Sequence, residues 1–168
     1  MELHGLDTER EVFFYEQDFY VLSNFSAFRL VFNGVLFATS EEAYHWQKFQ
    51  GVPKVQKVLF GAMSAHDAFR IAGENKNFRR DDWDAVKVPI MKDILRAKVA
   101  QHAYVYRKLL DTGNRTLIEN SWRDDYWGWG PNRDGQNLLG KLWMEIRTEL
   151  RGLPSNAQDK PPAESGSA

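Results

Sequence analysis

Apolar residues recur at spacings of three and four along most of the chain, which predicts helices over about 40–50, 53–60, 64–72, 87–110 and 138–151. Ile90, Met91, Ile94, Leu95, Lys98 and Val99 form one such stripe, and Leu139, Leu142, Trp143, Ile146 and Leu150 another. Both are most simply core. Thr39 with Glu42, and Ser64 with Asp67, have the order of helix starts, while Gly73 and Gly113 stand where helices end. The N-terminal third is strand-like: Val12-Phe-Phe-Tyr15, then Phe28 to Phe37 interrupted by Asn33-Gly34, a strong hairpin signal. Thr116-Leu-Ile-Glu119 is a further short strand-like run. The class expected is α+β, a mainly helical single domain over residues 1–152 with a small N-terminal antiparallel sheet. Residues 153–168 are almost devoid of apolar side chains and are expected to form a disordered tail.

Composition narrows the function classes. The 168 residues, 43% hydrophobic and 27% charged, contain no window apolar enough for a membrane span. The opening Met1-Glu-Leu-His-Gly lacks the order of a secretory signal, so a cytoplasmic protein without a membrane partner is expected. Cysteine is absent, which excludes disulfides and thiolate chemistry. The four His have no metal spacing, and no phosphate or dinucleotide loop occurs, so neither metal nor cofactor is expected. A net charge of -1 gives no basic field for long nucleic acid and favours a small or locally recognised ligand. Aromatic residues make up 14% of the chain, and several of the six Trp fall in polar or glycine-rich segments rather than on apolar faces.

Three segments could carry chemistry. In Thr39-Ser-Glu-Glu-Ala-Tyr-His-Trp-Gln-Lys48, Glu42 completes the helix start, and Glu41 is the freer carboxylate. Tyr44, His45 and Lys48 lie three, four and seven positions beyond Glu41, which puts acid, phenol, imidazole and amine on one helical face. That face is either a solvated stripe of ion pairs or, if covered by protein, a set of buried ionisable groups. Residues 119–137 join Trp127 and Trp129 to Asp124, Asp125 and several glycines in one long loop. The loop either binds a ligand or is a tryptophan-anchored Ω-loop whose aspartates cap turns. Arg79-Arg80-Asp81-Asp82-Trp83-Asp84 is either a phosphate-binding basic pair beside an aromatic plate or a charged helix start.

Together these segments resemble the NADAR family, the YbiA-like N-glycosidases, from about Phe14 to Leu150. Leu22-Ser-Asn-Phe25 resembles the family's LSNF. Ser40-Glu41, Tyr44 and Lys48 match its helix pattern, and Asp82-Trp83-Asp84 matches its DWD element. Glu119, Asp124, Trp127, Gly128 and Gly130 match E…D-x-x-W-G-x-G, and Gly135-Gln-Asn137-Leu-Leu-Gly140 with Met144-Glu-Ile-Arg147 matches the closing motif. Members commonly carry His after the glutamate and Gln shortly beyond, where this chain has Glu42 and His45.

The resemblance implies hydrolysis of the C–N bond between ribose C1 and an exocyclic amine. The substrate would be a phosphoribosylamino-pyrimidine of riboflavin biosynthesis or, alternatively, ADP-ribose on guanine, as nucleoside or in nucleic acid touched locally. A non-catalytic ADP-ribose reader is the third alternative. Glu41 and Asp124 would share acid and base roles around an oxocarbenium-like sugar, or Lys48 would form a Schiff base with ring-opened ribose. Trp83 and Trp127 would stack on the base or adenine, Asn24, Gly128, Gly130 and Asn137 would line the sugar-phosphate, and Phe25 and Tyr44 would also bind substrate.

Overall fold

A computed structural model describes residues 6–15 and 17–152. In chain order it contains β1 (Glu11–Phe13), a 3-10 segment (Gln17–Leu22), β2 (Leu30–Phe32), β3 (Val35–Phe37), α1 (Ser40–Lys48), α2 (Pro53–Phe60) and α3 (Ala65–Glu74). A second 3-10 segment (Lys76–Phe78) precedes α4 (Trp83–Gln101), α5 (Ala103–Asp111), β4 (Thr116–Ile118) and α6 (Leu138–Arg151). The class is α+β, mainly helical, with a small antiparallel hairpin. Contacts divide the chain into two compact units, a central one from Asn24 to Gln101 and a terminal one that joins the segment ending at Ser23 to the segment beginning at His102. Residues 153–168, where a disordered tail is expected, lie outside the described residues.

In the central unit β2 and β3 pair antiparallel, Leu30 opposite Phe37 and Phe32 opposite Val35. Asn33 and Gly34 form the turn with φ of 49° and 77°, the positive angles that the Asn-Gly pair predicts. Helix α1 is packed by α2, α3, α4 and β3. Phe49, Val55, Leu59, Ala68, Ile71 and Ala72 form a buried apolar cluster beside it.

Helix α4 departs from expectation at both ends. It starts at Trp83, where the Asp82 carbonyl accepts the Ala85 and Val86 N–H groups. Pro89 is tolerated inside it because Pro89 and Ala85 are both exposed, so the carbonyl left unpaired is not desolvated. It ends at Gln101, since His102 is extended (φ -130°, ψ 104°) and α5 begins afresh. The apolar spacing runs on through Ala103, Val105 and Leu109, which hides the break from a periodicity argument.

The terminal unit holds a second, separate strand pair. The run from Val12 does not join the hairpin: β1 pairs parallel with β4, Val12 opposite Leu117 and Phe13 opposite Ile118. A hairpin announces itself by its turn, whereas a parallel pair between distant segments has no local signal. Helix α6 packs on β4 so closely that a Cβ on Gly140 would lie 2.1 Å from the Leu117 carbonyl oxygen. Trp143 is fully buried and donates its indole N–H to the Leu22 carbonyl at 2.9 Å. Arg147, also buried, donates to Thr112 Oγ1 at 2.7 Å and to the Arg115 carbonyl at 2.9 Å.

One stripe residue of α4 is not apolar. Lys98 is fully buried, donates from Nζ to Ser26 Oγ at 2.8 Å and lies 5.3 Å from the centre of the Phe28 ring. Burial lowers its pKa from 10.5 to about 7. The unfolded chain therefore binds the extra proton between those two values, and stability must rise with pH across that window. Replacing Lys98 with Met removes this dependence. Urea unfolding at pH 7, 8 and 9 should show the wild type gaining on Lys98→Met by as much as ~1 kcal/mol per pH unit. A difference that stays flat with pH would contradict this.

Candidate active site

The chemistry-bearing face of α1 lies within the central unit. Thr39, extended at φ -148°, accepts the Glu42 N–H on Oγ1 at 3.1 Å, and Glu42 reaches back to accept the Ala38 N–H on Oε2 at 2.6 Å. Burial raises the Glu42 pKa and the Ala38 N–H opposes that rise. Glu42 is thus part of the helix start. Its neighbour Glu41 has no share in the cap, and its Oε1 meets His45 Nε2 at 2.7 Å one turn on. Both residues are buried, at 7% and 5% exposure, so the covered alternative holds and the solvated stripe does not.

Further elements close around this pair. The Glu41 N–H donates to the Asn24 carbonyl at 3.1 Å, and Asn24 Nδ2 lies 3.4 Å from Met91 Sδ. The ring of Phe25 meets His66 edge-on at 5.4 Å and stands 6.4 Å from Phe69. Tyr44 is buried, with its ring 4.9 Å from Trp83. Trp83 itself is 2% exposed, so it forms a wall behind the helix rather than an open plate for a base.

Lys48 ends the face, half-buried. Its pKa is lowered chiefly by burial and further by the Arg79 and Lys87 cations, against the opposing pull of Glu41 and Asp84. The Arg80 N–H donates to the Lys48 carbonyl at 3.0 Å, which pins the basic segment to the end of α1. Asp84 pairs with Arg79 at 2.7 Å and with Lys87 at 2.9 Å, and Arg80 pairs with Asp82. The segment is therefore a charged helix start, and its Arg79, with Lys87 one turn into the helix, acts on Lys48. Lys87 is not marked out in the sequence, because a lone surface-type lysine has no distinguishing spacing.

The remaining expected site residues lie in the terminal unit, each with a place in its loop. Asp124 Oδ1 accepts the Tyr126 and Trp127 N–H groups, both at 2.8 Å, while its own N–H donates to Ser121 Oγ at 3.1 Å. A Cβ on Gly128 would lie 2.9 Å from the Asp124 and Glu119 carbonyl oxygens, and Gly130, at φ 72°, turns against Asp125. The packing of the loop leaves no room for a side chain at either glycine. Asn137, at φ 50°, accepts the Glu119 N–H and donates to the Leu117 carbonyl, each at 2.9 Å, and so fastens the loop to β4. Trp127 is half-buried, its ring edge-on to Tyr126 at 5.1 Å. Among the described residues no group of three or more His, Asp or Glu is placed to hold a metal, and no helix is long and apolar enough to cross a membrane.

The NADAR domain model matches residues 13–151. The chain belongs to the NADAR family. Within it, the chain is 35% identical over 148 residues to an N-glycosidase of Nostoc punctiforme, covering 86% of this chain and 95% of that protein. It is 37% identical over 145 residues to a riboflavin biosynthesis protein of Vibrio vulnificus, covering 85% of this chain; the match spans only 39% of that longer protein. The solution structure of Escherichia coli YbiA is similar at a TM-score of 0.77 and 33% identity, over 87% of this chain and 88% of the other. This NADAR chain carries Glu41 and Lys48 on one largely buried helix.

The role of Asp124 is open to a direct check. A turn-forming role needs only the Oδ1 acceptor, which asparagine retains. Asp124→Asn should then keep activity within about threefold, while Asp124→Ala should lower Tm through the loss of two backbone hydrogen bonds, about 1–2 kcal/mol. Loss of turnover in Asp124→Asn with unchanged Tm would instead assign the carboxylate to chemistry.

Proposed function

We propose that this chain is an N-glycosidase that cleaves the bond between ribose C1 and an exocyclic amine, with Lys48 as nucleophile and Glu41 as proton carrier. The observation that carries this reading is the placement of Lys48, half-buried near Arg79 and on the same helical face as the buried Glu41, surroundings that lower its pKa. A lysine must be neutral to attack carbon, and desolvation together with a neighbouring cation is what makes neutrality accessible near neutral pH.

The steps balance as follows. Opening of the ribose ring breaks the bond between C1 and the ring oxygen, which takes up a proton, and leaves C1 doubly bonded to the exocyclic nitrogen. Lys48 Nζ adds its lone pair to C1. Glu41 carries a proton from Nζ to the departing amine, and the C1–N bond to the base breaks. Water then adds to the lysine imine, releasing the sugar with a C1 carbonyl and restoring Lys48.

The substrate class proposed is a phosphoribosylamino-pyrimidine of riboflavin biosynthesis. Relatives from Vibrio vulnificus and Zea mays bear the name riboflavin biosynthesis protein, and this supports the reading.

The test is a mass-spectrometric assay of wild type, Glu41→Gln and Lys48→Ala on a mixture of those pyrimidine intermediates and ADP-ribosylated guanosine, with borohydride added during turnover. Release of the pyrimidine amine alone, abolished in both variants, with a ribosyl adduct trapped on Lys48, is the expected result. Release of ADP-ribose and guanosine would overturn the substrate, and turnover without any adduct would overturn the nucleophile. The reaction should also speed up as pH rises towards the Lys48 ionisation. In Arg79→Gln that rising limb should move to higher pH, because a cation opposing the charged lysine is lost. An unmoved limb would remove Arg79 from the account.

A further inference from the structure

The buried face of α1 holds an imidazole that the mechanism above leaves unused. His45 is 5% exposed, and its Nε2 lies 2.7 Å from Glu41 Oε1. Its other ring nitrogen, Nδ1, is buried with no hydrogen-bond partner, and so are Ser40 Oγ and Asn24 Oδ1. All three belong to residues tied to Glu41: Ser40 precedes it, the Asn24 carbonyl accepts its N–H, and His45 meets its carboxylate. Unsatisfied polar atoms are costly in a folded interior and mark places where a ligand's polar groups complete the bonding.

The surroundings of the imidazole are mostly neutral. From α3 it faces Phe69, at 6.2 Å between ring centres, while Asp67, Arg70 and Glu74 of that helix pair among themselves and His66 packs on Phe25. From α4, Asp84 and Lys87 pair with each other, Arg96 pairs with Asp93, and Lys98 is held by Ser26. The lysines of α2, Lys54 and Lys57, are exposed, and β3 carries no charge. On α1 itself Glu42 is engaged by Ala38, and Lys48 lies at the far end. Among the described residues, the ionisable group within ion-pair distance of His45 is Glu41.

We propose that His45 is the positioning residue of Glu41: Nε2–H fixes the carboxylate in the rotamer from which it moves protons. The inference rests on the Glu41 role proposed above. No bond is made to substrate by His45, which acts only through Glu41.

The test measures kcat and KM for a phosphoribosylamino-pyrimidine from pH 5 to 9 in wild type, His45→Gln, His45→Ala and Glu41→Gln, with Tm for each. Glutamine keeps a neutral N–H donor. His45→Gln should retain kcat within about fivefold, because that donor still holds the carboxylate. His45→Ala, which loses the donor as well, should lower kcat about tenfold or more with KM nearly unchanged. Wild-type kcat in His45→Ala would overturn the proposal even if Tm falls, because a purely structural histidine moves stability and not kcat. Full activity in Glu41→Gln would overturn the parent reading together with this one. An inactive Glu41→Gln beside wild-type behaviour in both His45 variants would overturn this inference alone.

Discussion

Everything proposed for this chain depends on the burial of one short helix. Seven of the nine residues of α1 are buried, including Glu41, Glu42 and His45. Placing carboxylates and an imidazole in an interior costs several kcal/mol per group unless each is engaged. Glu42 meets that demand through the Ala38 N–H, and Glu41 and His45 meet it through each other. The same burial, acting on Lys48 together with Arg79 and Lys87, favours the neutral amine. A solvated copy of this helix would carry the same residues in the same order and have none of these properties.

The central and terminal units use polar residues in different ways. In the central unit they are held around α1 with some of their hydrogen-bonding capacity unfilled, at Asn24, Ser40 and His45. In the loop of residues 119–137 the side chains that resemble site residues are engaged by backbone groups, Asp124 by those of the loop itself and Asn137 by those of the loop and of β4. That loop is closely packed: its glycines sit where any Cβ would strike a neighbouring carbonyl or side chain.

How far the sequence discloses this structure follows from the range of each interaction. The Asn33-Gly34 hairpin and the Thr39 and Ser64 helix starts are legible because turn and cap chemistry is local. The face shared by Glu41, His45 and Lys48 is legible from helical spacing, but its burial is not, because coverage comes from α3 and α4, which spacing in α1 does not encode. The parallel pairing of β1 with β4 escapes for the same reason, since it joins distant segments, and the break at His102 escapes because the apolar spacing runs on across it. The contributions of Arg79 and Lys87 to Lys48 emerge only when the start of α4 is brought to the end of α1.

The central claim, that its surroundings hold Lys48 nearer neutrality than an ordinary lysine, is tested most directly by titrating the lysine Cε resonances of protein labelled with 13C-lysine, Lys48 being assigned by its absence in Lys48→Arg and Lys98 by its absence in Lys98→Met. The account predicts a Lys48 midpoint clearly below those of the exposed lysines Lys54 and Lys57. A midpoint at or above theirs would contradict it.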